Sequence, residues 1–244
     1  MESTKTPEYP YNHSVIVLTY TRADLIEARI AEITRLYASR PDIEFIVLDN
    51  GSTNMHVRLA LAATGPSVQE KFRYQVERIE PNVGFGGGWN EAVSRSSGRI
   101  VHLLSDDVQV LGDFVSKINS YAPQLVESDK WIAGQMMVQE GGWNQFNGFT
   151  IPYLMGYYLA MPRAIWDAIG GFDFETFYPY DFEDVDLCHR AGQIGAHLIS
   201  ISDLPLRHEV AGTIGYNPNR FEHTVKMRAA FAKKWGLPNI PERP

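Results

Sequence analysis

The sequence predicts a single α/β domain, with a mostly parallel central sheet flanked by helices. Three observations point there. Ser14 to Thr19 and Ile43 to Leu48 are apolar at successive positions, as strands buried on both faces are, and a helical period separates them. The strand and helix alternation then repeats through Leu104. The fourth strand ends on an acidic pair, Asp106 and Asp107, at the carboxyl edge where open α/β sheets bind ligands. At 244 residues the chain suits one well-buried core.

The elements follow in order. Ser14 to Thr19 leads into a helix from Asp24 to Ala38, where Ile26, Ile30, Ile33 and Tyr37 recur at helical spacing. Ile43 to Leu48 is the second strand, and Asp49 to Ser52 closes it in turn chemistry. A helical stretch from Met55 to Ala63 precedes a third strand, Phe72 to Ile79, which alternates in polarity. After the glycine-rich segment Asn82 to Gly88, Trp89 to Ser97 reads as a helix closed by a left-handed Gly98. Arg99 to Leu104 is the fourth strand. Beyond Gly112 one helix runs to Val126, and strands fall near Trp131 to Val138 and Asn144 to Ile151. Pro162 opens a short helix ended by Gly170 and Gly171. Phe182 to Ala191 reads as helix, His197 to Ile201 as strand and Phe221 to Trp235 as a last helix.

Composition narrows the function. With 44% hydrophobic and 21% charged residues, the chain is not of a disordered, collagen-like or coiled-coil class. A formal net charge of -7 gives no general attraction to phosphate backbones, so a nucleic-acid partner needs a local basic patch. One cluster qualifies, Lys226, Arg228, Lys233 and Lys234 on the last helix. It reads first as a solvated face closing the fold, and second as a contact for an acceptor or for a membrane surface at the protein's periphery. The single cysteine, Cys188, makes neither an internal disulfide nor a zinc site alone, which favours a reducing, cytoplasmic location. Met1 to Asn12 lacks the apolar core of a signal peptide. The longest apolar stretch, Tyr153 to Met161, falls far short of the ~20 residues of a membrane span, so a soluble protein without a transmembrane segment is expected.

Three segments carry chemistry. Asp106 and Asp107, with His208, offer oxygen and imidazole ligands suited to Mn²⁺ or Mg²⁺, although an acidic pair at a strand end also serves as a turn or helix cap. Asp181, Glu183, Asp184 and Asp186 crowd four carboxylates at a helix start, more than capping requires. Glu183 and Asp184 are adjacent and cannot share one helix face; Asp184 is the candidate base and Glu183 a candidate acceptor contact. Asn82 to Asn90 allows close backbone approach to a nucleotide or phosphate ahead of a helix. It is not a dinucleotide fingerprint, because the third glycine position falls on Trp89. Trp143, Tyr157, Tyr158 and Tyr180 either stack on a sugar or base or serve the core. His13, His102, His189, His197 and His223 read as structural or surface residues.

Together these segments resemble the inverting family 2 glycosyltransferases of GT-A fold, especially the rhamnosyl- and galactofuranosyl-transferase branch, from Ser14 to about Gly215. Val17 to Arg22, with Thr19, Tyr20 and Arg22, looks like the family's first nucleotide-binding turn. Asp49 looks like the aspartate that contacts the base, and Asn82, Gly84, Gly88 and Asn90 lie in a segment similar to its glycine-rich motif. Ser105, Asp106 and Asp107 stand at its Asp-x-Asp position, with Ser105 replacing the first aspartate. The resemblance implies that Asp107 and His208 bind a divalent metal, Mn²⁺ or Mg²⁺, that Ser105 and Asp106 lie near the donor, and that Asp184 is the base, with Glu183 beside it. It also implies a UDP- or dTDP-sugar donor and an inverting displacement by an acceptor hydroxyl. The acceptor expected is a glycan or lipid-linked saccharide, contacted by Trp143, Tyr157 and Asp181. A hydroxymethylated DNA base is the alternative acceptor, and a nucleotide-sugar-binding protein without catalysis the alternative function. The chain divides on this reading into an extension, 1–13, a glycosyltransferase domain, 14–215, and a C-terminal helix and tail, 216–244. Within the domain, 14–110 is the nucleotide-binding half and 111–215 the acceptor half.

Overall fold

A computed structural model describes residues 9–69, 73–125, 129–136, 144–146, 149–209 and 218–237. Strands β1 (Tyr11–Thr19) and β2 (Ile43–Asn50) bracket helix α1 (Ala23–Tyr37), and α2 (Met55–Gln69) leads to β3 (Tyr74–Ile79). Helix α3 (Gly84–Ser94) precedes β4 (Gly98–Ser105), and a short strand β5 (Val108–Val110) follows the acidic pair. Then come α4 (Phe114–Leu125), β6 (Trp131–Met136) and a hairpin of β7 (Gln145–Phe146) and β8 (Phe149–Thr150). Strand β9 (Leu154–Pro162), α5 (Arg163–Ile169), α6 (Glu183–Gln193), β10 (His197–Ser200), β11 (Leu206–His208) and α7 (Arg220–Lys234) complete the chain.

One seven-stranded sheet runs in the order β10-β6-β9-β4-β1-β2-β3. All neighbours are parallel except at β9, which is antiparallel to both β4 and β6. The sheet divides the core into two. Val15 and Val17 of β1 face α1, α2 and α4 through Ile26, Ile30, Val57, Phe114 and Ile118. Ile16 and Leu18 face α3, α5, α6 and α7 through Trp89, Ile165, Leu187 and Phe231. Alternation along one strand thus supplies both layers, which explains why β1 and β2 read as unbroken apolar runs.

Three expectations about elements change. The glycine-rich segment forms the opening turns of α3, which starts at Gly84 rather than Trp89. Gly88 is there because the helix lies on the sheet: an added Cβ would come 2.8 Å from Asn50 Nδ2 and 2.9 Å from Leu18 Cδ1. Gly98 is the first residue of β4, not a left-handed helix end, and a Cβ there would meet the Ser14 backbone nitrogen at 2.5 Å. In place of one strand from Asn144 to Ile151, β7 pairs with β8, and β9 occupies an apolar stretch for which the sequence pattern predicts no element. Residues 137 and 138 of the expected β6 lie outside the described residues.

Candidate functional site

β1, β2 and β4 all end at one edge of the sheet, and β9, running the other way, begins there. Thr19, the last residue of β1, donates from Oγ1 to Asp106 Oδ2 at 2.7 Å, tying the first strand end to the acidic turn. Tyr20 is half-buried beside it, and Arg22 pairs with Asp24 through Nε and Nη2 at 3.1 and 2.9 Å. At the end of β2, buried Asp49 accepts the Ser52 N–H at 2.9 Å on one oxygen and the Arg78 guanidinium on the other. Arg78 was not foreseen; it stands opposite Asp49 in the β2-β3 register, where an unlike charge is the favoured neighbour.

The turn into α3 is built on Asn50 and Asn82. Asn50 donates to the Gly84 carbonyl at 2.8 Å and accepts from Val83 N–H at 3.1 Å; Asn82 donates to the Asn50 carbonyl and accepts from Gly84 N–H, both at 2.8 Å. Gly84 takes φ +79°, a conformation that only glycine adopts without strain. Asn90 faces elsewhere: its amide donates to the Phe172 carbonyl and accepts the Phe172 N–H, each at 2.9 Å. Asn90 and Gly88 are thereby engaged in packing α3 against its neighbours.

The acidic turn after β4 is buried throughout, with Ser105 at 8%, Asp106 at 2% and Asp107 at 7% exposure. Asp107 Oδ2 lies 3.5 Å from His208 Nε2, brought there by the antiparallel pairing of β5 with β11, while Asp107 Oδ1 is buried without a hydrogen-bond partner. A buried, unmatched carboxylate oxygen is costly unless a cation or donor meets it. An imidazole nitrogen and a carboxylate on facing short strands therefore fit a divalent ion. Among the described residues no group of three or more His, Cys, Asp or Glu forms that could hold a metal, so the protein offers this pair.

The four acids near α6 separate into different roles. Asp186 is internal, holding Arg190 Nε at 2.7 Å, Lys234 Nζ at 2.7 Å and Trp235 Nε1 at 2.9 Å. Asp181 accepts from Thr224 Oγ1 at 2.7 Å. Asp184 is half-buried and accepts the Gly156 N–H at 2.9 Å and the Val185 N–H at 2.8 Å. Burial pushes its carboxyl up to about 6, the two backbone donors opposing and the Asp181 charge adding to the rise. Glu183 is buried with Oε2 unpartnered, and burial, together with the neighbouring Asp184 charge, raises its carboxyl well above the ordinary range. Burial thus favours the protonated form of both acids and brings Asp184 near neutrality.

β9 joins the two centres. Tyr157 stacks on the His208 ring at 4.3 Å with planes 16° apart, and its neighbour Gly156 binds Asp184. A Cβ on Gly156 would stand 3.2 Å from Asp184 Cβ, so a side chain there would crowd the Asp184 carboxylate. The Tyr157 hydroxyl also donates to Gln135, and burial raises it to about 12. Consecutive residues of one strand therefore touch the candidate metal ligand and the candidate base. Trp143 lies outside the described residues.

A mannosyltransferase from Pyrobaculum calidifontis, PcManGT in complex with GDP-Man and Mn²⁺, superposes with a TM-score of 0.67 at 21% identity over 97% of this chain and 70% of that one. S. aureus TarS 1-349 in complex with UDP gives 0.61 at 17% identity, over 91% and 65%. GalNAc-T7 with UDP, GalNAc and Mn²⁺ gives 0.60 at 14%, over 83% and 44%. These likenesses show the fold, that of the GT-A glycosyltransferases. A curated relative, the uncharacterised protein y4gI of Sinorhizobium fredii, is 25% identical over 254 aligned residues covering 91% of this chain, which spans only 26% of the relative's length. The glycosyl transferase family 2 profile matches residues 14–172, from β1 through the acidic turn and β9. On that match the chain belongs to glycosyl transferase family 2.

Proposed function

We propose that the chain is a metal-dependent, inverting glycosyltransferase that moves a sugar from a nucleoside-diphosphate sugar to a hydroxyl of a glycan or lipid-linked saccharide. The observation that carries it is the junction at β9, where Gly156 binds Asp184 and Tyr157 stacks on His208 beside the half-satisfied Asp107 carboxylate. Asp107 and His208 would hold a divalent cation: an oxygen-imidazole pair suits Mn²⁺, and Mg²⁺ is the harder alternative. When bound, such an ion neutralises charge on the departing diphosphate. The protein's own residues do the rest. The Asp184 carboxylate takes the acceptor hydroxyl's proton as the oxygen bonds to the anomeric carbon and the bond from that carbon to the diphosphate oxygen breaks, so configuration inverts. Glu183, protonated in its buried site, donates a hydrogen bond to the acceptor. Thr19, Tyr20, Arg22, Asp49, Asn82, Gly84, Ser105 and Asp106 lie on or next to the strand ends that face the donor in this reading, and Gly88 and Asn90 support them by fixing α3.

UDP and dTDP donors fit the resemblance, and the mannosyltransferase of similar fold binds GDP-Man, so a donor screen should span uridine, deoxythymidine and guanosine diphosphate sugars. Arg228 lies over the Phe146 ring and donates to the Gln145 carbonyl, and Lys234 pairs with Asp173 and Asp186. Two of the four cations in the basic cluster are thus engaged within the protein, which favours a saccharide over DNA. The test is a thermal-shift and turnover screen with Mn²⁺, Mg²⁺ and chelator. A nucleotide-dependent shift that needs metal, and that Asp107→Asn and His208→Ala both abolish, is expected. Shifts of equal size in the variants would remove the pair as metal ligands.

A further inference from the structure

α7 grips the turn that presents Asp184. Two successive non-glycine residues, Asp181 and Phe182, take φ of +74° and +71° just ahead of Glu183. Residues with a Cβ seldom adopt that conformation, and it persists where the surroundings over-determine it. The constraints come from the first turn of α7. Thr224 Oγ1 donates to Asp181 Oδ2 at 2.7 Å, and Arg220 Nη2 stands 3.9 Å from Asp181 Oδ1. His223 Nε2 lies 2.7 Å from the Tyr180 carbonyl, to which it can only donate, and the His223 and Tyr180 rings meet edge-on at 4.7 Å. Farther along the helix, Phe231 packs against Phe182 at 5.8 Å, and Lys234 and Trp235 hold Asp186. On its opposite side Asp184 is held by the Gly156 N–H.

We propose that Thr224 and His223 are positioning residues for Asp184, fixing the strained turn and through it the reach of the carboxylate toward an acceptor hydroxyl. The proposal rests on the reading of Asp184 as the base. It adds a task for α7 beyond the closing face, or the acceptor or membrane contact, that its sequence suggests. A misplacement of about 1 Å at a reacting group can cost about a hundredfold in rate, so contacts that never touch substrate can decide turnover.

The test uses the ¹⁵N-labelled whole chain and needs no substrate for its first reading. Exchange of the Gly156 amide proton reports its hydrogen bond to Asp184. Thr224→Val should speed that exchange at least about tenfold and move the amide resonance, with Tm and the amides of α7 beyond its first turn unchanged. Thr224→Ser should restore both. His223→Leu against His223→Gln gives the same contrast should the valine variant fail to fold. On the nucleotide-sugar that turns over in the donor screen, kcat should fall about ten- to a hundredfold in the valine and leucine variants while donor KM holds. An unchanged Gly156 amide in both of these variants overturns the proposal. Asp184→Asn, assayed in parallel, separates the two ideas: wild-type turnover in that variant removes Asp184 as base, whatever the Gly156 amide does.

Discussion

Asp184 and Glu183 are neighbours in sequence whose burial raises both carboxyls above the ordinary range. With its carboxyl raised to about 6, Asp184 is ionised above that pH and protonated below it, so a base in this position loses activity on the acid side. The profile of kcat/KM against pH should therefore fall below about pH 6, and Asp184→Asn should remove at least about a hundredfold of the rate on the plateau above it. A flat profile from pH 5 to 8 in the unaltered protein would exclude this assignment. Asp107, Asp184 and His208 were legible as residue types because acidic and histidine motifs name their chemistry in one dimension. Their engagement was not. Which of Asp181, Glu183, Asp184 and Asp186 is committed to internal bonds depends on Thr224, Arg190 and Trp235, the last 49 residues from its partner. No local pattern carries that information. Arg78 could have been found by aligning β3 against β2, since it faces Asp49 directly.

At the scale of the element, α3 shows why propensity misleads. Glycine is the poorest helix former after proline, and four of the first five residues of α3 are glycine, so the sequence reads as a loop. Contact with the sheet reverses that preference, because a Cβ at Gly88 would enter Asn50 and Leu18. Gly88→Ala should accordingly destabilise the protein by about 1–3 kcal/mol through overpacking. Gly192 in α6 is the control: nothing lies within 4 Å of a Cβ there, and Gly192→Ala should stabilise by about 0.5–1 kcal/mol. Equal responses in urea denaturation would contradict the packing account. β1 and β2 were readable for the opposite reason: each is buried on both faces, and hydrophobicity alone marks them. β9 is just as apolar, but a continuous apolar run of nine residues does not distinguish strand from buried helix, and its pairing with β4 and β6 is wholly long-range.

Across the whole molecule, the sheet is stitched by a buried polar chain that the sequence reading classed only as structural or surface histidines. Asn119 Nδ2 lies 2.9 Å from His13 Nε2, His13 Nδ1 3.0 Å from His102 Nε2, and His102 Nδ1 2.9 Å from the Tyr158 hydroxyl. The Asn119 amide nitrogen can only donate, so each ring in turn donates from Nδ1 and accepts at Nε2, and both are neutral. Burial lowers His13 to about 4 and His102 well below its ordinary value. Histidines whose pKa falls on folding leave the unfolded state binding more protons, so their contribution to stability is full above about pH 6.5 and declines as pH drops toward 4, while the raised carboxyls of Asp184 and Glu183 act in the opposite sense. His13 alone should account for about 3 kcal/mol of that decline, at roughly 1.36 kcal/mol per pKa unit. Urea denaturation from pH 7 to 4 should show it as the difference in slope between the unaltered protein and His13→Asn. The reversed direction of β9 has a consequence of another kind, for how far this scaffold can diversify. Because β9 enters the sheet at the edge where its neighbours leave, the chain just before Leu154 lies at the strand-end edge, while Gly156 and Tyr157 are pinned by Asp184 and His208. Mutational tolerance should therefore change abruptly at that point. Exposed Phe149, Thr150 and Pro152 should accept replacement, whereas a change at Gly156 or Tyr157 should disturb the candidate base or the candidate metal ligand.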